Sequence, residues 1–343
     1  MSYDIVIIGA GPAGLACAGD AAEKGMKTLV LERKKSIGRK ICAGGITWNG
    51  LMQKLPGYVA EKEFFSQYLY SQLQQAKITS ETPIIATVNR ELLGQYMAEK
   101  ALSKGAEIRT SSLVKKIDTN AVTVINTSNG RTETIRYTYL VGADGSSSIV
   151  RRYLGIPVSS SGVGINYQIP GEFSKMQWHL DGSLFGNGYG WVFPHTGTVS
   201  VGAYAGAKIM KPVILKKNLL KWSHRNGFNL SGYKAQAEFI NYDYRGYRFN
   251  NIFLAGDAAG LASGLTGEGI YPAIISGEAI AENIVNPQKP LTEFSRLVAM
   301  HGKHKRMASI TGKSRFIRTV LSEIIVFGLR IGLVKFDKIE MAN

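Results

Sequence analysis

A short run of mostly β-branched apolar residues, Asp4 to Ile8, leads directly into Gly9-Ala10-Gly11-Pro12-Ala13-Gly14 and an Ala-rich stretch that ends at Lys24. This junction constrains the fold more than any other part of the chain. The run reads as a buried parallel strand, the glycines as a tight turn, and Ala13 to Lys24 as a helix with Gly25 at its C-terminal cap. Lys27 to Glu32 reads as a second strand, so the chain opens on a βαβ unit. In that unit Gly9 permits the turn, Gly11 lets a pyrophosphate reach the backbone, and Gly14 lets helix and strand pack closely. The helix N-terminus presents amide donors and the positive end of its dipole to the phosphates. The Glu32 carboxylate, at the end of the second strand, can accept from ribose hydroxyls; it suits NAD and FAD equally.

The βαβ rhythm then lapses. Residues 46–85 include aromatics and read as an excursion into a second region. Asn89 to Lys104 predicts a helix closed by Gly105. Ala106 to Arg109 and Leu113 to Thr127 read as strands, with Asn129-Gly130 as a hairpin turn. Tyr137 to Val141 is a strand that ends in Gly142-Ala143-Asp144-Gly145, and Ser146 to Leu154 is a short helix. From about 156 to 248 the Gly, Tyr, Trp and alternating apolar residues predict an antiparallel sheet. Ile252 to Ala255 is a buried strand, Gly267 to Ile284 a helix, and the remainder is helical. Strands near 4, 27, 139 and 252 must converge on one ligand. The nucleotide-binding domain is therefore discontinuous: 1–45, 86–155 and 249–290. Residues 46–85 and 156–248 form a substrate domain, and 291–343 a basic helical segment. A length of 343 residues is comfortable for two domains.

Three later segments carry chemistry. In Phe253 to Ala259 a strand delivers Asp257 to its C-terminal end, where ligands sit in open α/β sheets and a carboxylate can hold a polyol hydroxyl. Gly267-Glu268-Gly269-Ile270 then opens a helix whose N-terminus favours negative charge. Lys40-Ile41-Cys42-Ala43-Gly44-Gly45 sets one of the two cysteines in a glycine loop beside Arg39 and Lys40. Cys42 reads either as a thiol tuned by those cations or as a small packing residue. Along Gly188 to Pro194, period-two alternation puts Tyr189, Trp191 and Phe193 on one strand face. That stripe is either core or a wall of aromatic area suited to a long hydrocarbon.

The early GxGPAG, the GADG and the late GD with GEG together resemble the flavoprotein fold of p-hydroxybenzoate hydroxylase and its relatives. The Cys42 loop and the Tyr189-Gly190-Trp191-Val192-Phe193-Pro194 segment are similar to those of the geranylgeranyl reductase family, although C-A-G-G departs slightly from that family's C-G-E-G or C-G-G. The resemblance implies an α/β architecture: a Rossmann-like FAD-binding domain, a second α+β substrate domain on an antiparallel sheet, and C-terminal helices. It implies FAD as cofactor, held by Gly9, Gly11, Ala13, Gly14, Glu32, Arg33, Cys42, Ala43, Gly45, Arg90, Val114, Asp144, Asp257, Gly269 and Ile270. It implies a substrate pocket at Tyr189, Trp191 and Phe193, and Cys42 as a catalytic candidate. The activity implied is saturation of isoprenoid double bonds on a lipid, quinone or chlorophyll-like substrate, with a hydride from N5 of the reduced flavin. The alternative is a flavin-dependent monooxygenase of an aromatic or apolar substrate, because one fold hosts many chemistries. The electron donor would be NAD(P)H or a ferredoxin-like protein.

Other classes are poorly served. Two cysteines make no disulfide framework, zinc cluster or iron–sulfur site, so a cytoplasmic location is expected. The N-terminal residues read as the first strand, not as a signal peptide. Thr311-Gly312-Lys313-Ser314 ends like a phosphate-binding loop, but Met307 stands where its earlier glycine belongs. His301 and His304 have no acid or thiol beside them, so no metal is expected. The net charge of +16 is uneven: His301 to Arg318 carries six Lys/Arg and no acid, and the apolar Val320 to Val334 follows. That segment is either a helix packed on the body or a membrane-surface element on the inner face of the membrane. No nucleic-acid motif is present.

Overall fold

The computed structural model describes residues 2–342 apart from 39, 41, 50, 51, 53, 54 and 335–339. Arg39, expected to act on Cys42, lies outside the described residues. Along the chain run β1 (Ser2–Ile8), α1 (Pro12–Glu23), β2 (Thr28–Leu31), β3 (Gly45–Thr47), β4 (Ala60–Phe64), β5 (Ser66–Tyr70), β6 (Gln75–Thr79), β7 (Ile85–Val88) and α2 (Arg90–Ser103). Next come β8 (Glu107–Arg109), β9 (Ser112–Ile117), β10 (Ala121–Asn126), β11 (Thr132–Gly142), α3 (Ile149–Tyr153), β12 (Ser161–Pro170), β13 (Met176–His179), β14 (Tyr189–Pro194) and β15 (Thr198–Gly206). The chain continues with α4 (Pro212–Arg225), β16 (Gln236–Asn241), β17 (Arg248–Phe249), β18 (Ile252–Leu254), α5 (Gly256–Ala259), α6 (Ile270–Val285), α7 (Thr292–Lys313) and α8 (Arg315–Arg330).

An eight-stranded sheet runs β17-β18-β11-β1-β2-β8, with the hairpin partners β10 and β9 extending from β11. Its centre is parallel: β1 lies between β2 and β11, and β18 pairs with β11. The strands near 4, 27, 139 and 252 therefore do converge. Ile5, Val6 and Ile7 are fully buried, as a strand covered on both faces requires. Gly9 has φ +104°, and a Cβ there would fall 2.5 Å from the Ala143 carbonyl oxygen. A Cβ on Gly14 would fall 2.0 Å from the Gly9 oxygen. These two glycines let the turn nest against β11 and let α1 press onto it. Asn89 caps α2, its Oδ1 accepting from the Glu91 and Leu92 amides at 2.9 and 3.1 Å.

The second sheet has seven strands, in the order β16-β12-β15-β14-β13-β5-β6. It differs from the sequence expectation in two ways. First, β5 and β13 pair parallel, so the sheet is mixed. The excursion at 46–85 supplies β5 and β6 to it, so residues distant in the chain share one sheet. Second, the region 156–248 contains a helix, α4. Its Leu215, Leu219 and Trp222 fall on one helical face and bury against Val163, Val199 and Val201 on the back of the sheet. The front of the same sheet carries Tyr189, Trp191, Phe193 and Tyr204. A small three-stranded sheet, β3-β7-β4, bridges the two. The C-terminal segment forms helices, as expected, and there are two of them, α7 and α8. The chain breaks at Ser314, which is extended (φ −147°, ψ 144°) and accepts from the Phe316 amide to start α8.

Candidate active site

One cavity of about 920 Å³ runs from the C-terminal ends of β1 and β2 to the front of the seven-stranded sheet, near the upper end for a ligand pocket. Every residue expected to bind cofactor or substrate lines it except Gly14, which sits beneath the glycine turn. Gly11 caps α1 in an extended conformation (φ −81°, ψ 177°), and a Cβ added there meets nothing within 4 Å. The space in front of that backbone is open. The two carboxylate oxygens of Glu32 accept from the Ala10 and Lys34 amides, both at 2.9 Å, and so tie the glycine turn to the end of β2. Arg33 is exposed at the rim, and Val114 lies buried on β9.

Two buried polar atoms at the cavity stand out, one on Arg90 and one on Asp144. Arg90 opens α2, where a cation is poorly placed for the helix dipole, and its buried Nε has no hydrogen-bond partner among the described residues. Asp144 spends Oδ2 on the Ile149 amide at 2.6 Å, at the start of α3, and leaves Oδ1 buried without a hydrogen-bond partner among the described residues. Burial raises the pKa of this carboxyl. Asp257 accepts from Lys40 Nζ at 3.0 Å and from Ser146 Oγ at 3.3 Å. The Asp257 charge in turn lifts the pKa of Lys40. Gly269 caps α6 next to this carboxylate, where a Cβ would come within 3.2 Å of Asp257 Oδ1. Ile270 is the first residue of that helix.

The Cys42 loop is fixed from two sides. Trp191 Nε1 donates to Ser200 Oγ at 2.9 Å, Ser200 donates to Asn166 Oδ1 at 2.8 Å, and Asn166 Nδ2 donates to the Cys42 carbonyl at 3.2 Å. This buried relay joins the aromatic wall to the loop. On the other side His195 bridges the Glu61 carboxylate and the Ala43 carbonyl, the latter at 2.9 Å. The Gly44 amide lies 3.4 Å from Cys42 Sγ, which is partly exposed to the cavity. Gly45 packs against Phe193, where a Cβ would fall 2.9 Å from the ring. Trp178 of β13 extends the wall, with ring centres 4.9 Å from Tyr189 and 4.7 Å from Phe193.

Glu268, between the two glycines of Gly267-Glu268-Gly269, faces the cavity. One oxygen accepts from the Met341 amide at 3.1 Å, and the other lies 3.5 Å from Thr47 Oγ1. Burial lifts its pKa to about 7 against the pull of those bonds. A folded-state pKa raised from 4.5 means the unfolded chain ionises first. The stabilising contribution is intact below about pH 4.5 and is lost as pH rises to about 7, a span of about 3 kcal/mol. His179, His301 and His304, each held near 4 by burial, push the opposite way. Unfolding of flavin-free protein by urea from about pH 5 to 8 should therefore be compared with Glu268→Gln. The variant should gain relative stability as pH rises, and parallel curves would refute the assignment.

Sequence reasoning missed Glu268, Asn166, Trp178 and the Glu61–His195 pair, and it assigned Lys40 to Cys42, whereas the Lys40 ammonium pairs with Asp257. Lys40 and Glu268 stood inside quoted motifs, and their charge within glycine-rich loops was the available signal. The others pair across long stretches of chain with no local signature. His304 Nδ1 and Ser263 Oγ share a hydrogen bond at 2.8 Å.

A family model described as FAD binding domain matches residues 2–176. An uncharacterized protein of Methanosarcina barkeri is 31% identical, over 82% of this chain and 74% of its own length. A digeranylgeranylglycerophospholipid reductase of Methanococcoides burtonii is 27% identical, over 99% of this chain and 90% of its own. Among solved structures, a geranylgeranyl bacteriochlorophyll reductase-like protein from Thermoplasma acidophilum superposes with a TM-score of 0.83 at 21% identity, covering 99% of this chain and 95% of that one. A flavin-dependent brominase superposes at 0.71 with 15% identity, covering 100% and 96%. At such identities the superpositions establish the fold alone.

Proposed function

The chain belongs to the geranylgeranyl reductase family of FAD-binding oxidoreductases, and from that premise we propose that it saturates double bonds of an isoprenoid chain borne by a lipid. The observation that carries this is the continuity of the large cavity. It joins a dinucleotide cradle to a wall of Tyr189, Trp191, Phe193 and Trp178, which is apolar where a small ionised substrate would need charge.

FAD fits the residues present. The space before Gly11 leaves room for a pyrophosphate, and the orphaned Arg90 Nε calls for an anionic partner. In this reading the Gly9–Gly14 turn and Arg90 hold the phosphates, Glu32 and Arg33 the ribose end, and the Val114 backbone the adenine. Asp257 takes the ribityl chain, and Gly269 and Ile270 present the α6 N-terminus to the pyrimidine ring. Bound FAD, when reduced, supplies a hydride from N5 to one alkene carbon. The chain must orient the alkene, exclude water and bring a proton to the other carbon. Burial lifts the Glu268 carboxyl to about 7, so a substantial fraction keeps its proton at neutrality, as a general acid requires. Cys42 is the second candidate donor. The domain division at 46–85 and 156–248 follows from the same reading. So do a cytoplasmic location, contact with the membrane that holds such a lipid, and an electron donor that is NAD(P)H or ferredoxin-like.

The test is anaerobic. Protein carrying dithionite-reduced FAD is mixed with a geranylgeranyl lipid or diphosphate, and products are weighed by mass spectrometry. A gain of two hydrogens per saturated bond is expected. Flavin that reoxidises only with oxygen and an apolar substrate would replace this reading with the monooxygenase. Glu268→Gln should keep its FAD and lose on the order of 100-fold or more in reduction rate. A Cys42→Ala variant with normal FAD content and normal rate would remove Cys42 as donor.

A further inference from the structure

Helix α8 carries apolar residues on two opposite faces. On the inner face Val326 and Leu329 bury against Leu69 and Ala76 of the β5–β6 hairpin, while Arg318, Leu321 and Ile325 line the cavity. On the outer face Phe316, Val320, Ile324, Phe327 and Ile331 recur at helical spacing, with exposures of 76, 38, 57, 45 and 52%. A surface helix of a water-soluble domain needs only the first of these faces. A contiguous exposed row of this size marks an interaction surface.

The row does not stand alone. Ile209 lies against Gly312 at the end of α7, where a Cβ would come 3.0 Å from its Cδ1, and beside it Val213 and Ile214 are also exposed. On the far edge Leu73 is 84% exposed at the hairpin tip, held beside α8 by its amide bond to Glu323 Oε1 at 3.2 Å. The border is basic. Lys208 and Lys211 flank Ile209, and Lys313, Arg315 and Arg330 flank the outer row, all exposed. The one acid of α8, Glu323, is occupied by Ser71, Leu73 and Gln74. An apolar centre with a cationic border complements an anionic bilayer, into which apolar side chains sink while Lys and Arg meet the headgroups. No helix among the described residues is long and apolar enough to cross a membrane, and a helix lying in the interface does not need to be.

We propose that the outer row of α8 docks the protein on an anionic lipid bilayer, so that this helix separates the bilayer from the cavity and the substrate's hydrocarbon passes in alongside it without crossing water. The inference rests on a lipid-borne substrate as read above, and it names the surface that meets the lipid.

The flavin-loaded protein is sedimented with vesicles of equal parts phosphatidylcholine and phosphatidylglycerol, and with phosphatidylcholine alone. Binding to the anionic vesicles is expected, weaker at high salt, and reduced at least about tenfold in Phe316→Asp/Ile324→Asp. A Phe327→Trp reporter should shift its emission to the blue on these vesicles and be quenched by brominated acyl chains. FAD content and melting temperature, both expected to match the parent, control for folding. Three results overturn the proposal: no vesicle binding by the parent, equal binding by the double variant, or a parent dimer in light scattering that the double variant dissolves. The assay needs no turnover. Bilayer binding without any mass gain on detergent-dispersed substrate would sink the reductase reading alone, and mass gain without bilayer binding would sink the docking surface alone.

Discussion

Flavin-free Gly11→Val unfolds within about 1 kcal/mol of the parent, yet it binds FAD at least about a hundredfold more weakly. The two halves of this expectation have separate physical sources. Gly11 is extended, a conformation any residue adopts, and an added Cβ meets nothing within 4 Å. The empty fold therefore loses little beyond a slightly poorer helix cap. The space that a valine side chain fills is the space through which a pyrophosphate must come to reach the α1 amides. Gly14→Ala should behave in the opposite manner. Its Cβ would fall 2.0 Å from the Gly9 oxygen, so stability falls along with cofactor affinity. Flavin fluorescence titration and urea unfolding of the two variants check both. A Gly11→Val protein that holds FAD normally would place the dinucleotide elsewhere.

Arg151→Met should destabilise the protein by on the order of 3–5 kcal/mol, the largest single loss expected outside the glycine turn. Arg151 is 2% exposed, and its guanidinium donates to the carbonyls of Asp243, Ala259, Pro157 and Ala258 at 2.8 to 3.3 Å. Methionine fills much of the volume and leaves three buried acceptors, on Ala258, Ala259 and Asp243, without this donor; the Pro157 carbonyl is only partly buried. The Asp243 carboxylate loses a cation 3.7 Å away, though it stays ionised. Burial alone would push its pKa up, but the Ser159 amide and hydroxyl and Lys305 together hold it well below the usual range. Two of the four carbonyls belong to the turn that follows Asp257, so FAD affinity should fall together with stability. Urea unfolding measures the first effect and flavin titration the second. A change below about 1 kcal/mol would mean that water replaces the guanidinium.

The contrast between these sites shows what the sequence made legible. The glycine turn, α1, β2 and the Asn89-capped α2 are local: residue order, spacing and caps define them, and each was read close to its observed bounds. The convergence of β1, β2, β11 and β18 followed from the rule that a βαβ unit gathers its ligand at the strand ends. The parallel pairing of β5 with β13 was not legible, because strand partners far apart in the chain leave no trace in either segment. Helix α4 was hidden in a region whose Gly and aromatic content suggested only sheet. The motif residues expected at the site line the cavity, while most of the side chains that brace them carry no local signature. Asn166, His195 and Lys40 act through partners that only the folded chain brings near, and Arg151 carried no motif.

The strand order of the parallel sheet also bears on how the protein is made. β1 is paired with β11, and β11 with β18, so β1 waits for segments ending at Leu254 before its sheet is complete. Such non-local pairing slows folding, since chain-closure entropy is lost before the contacts that offset it form. An N-terminal fragment ending before β18 carries the whole glycine turn but lacks the strand and helix that close its far side. It leaves the ribosome with apolar strand edges uncovered, a state in which aggregation and chaperone capture compete with folding. Cofactor capture is then a late event in the life of the chain, and flavin supplied during refolding should raise yield by trapping the closed sheet more than by hastening its assembly.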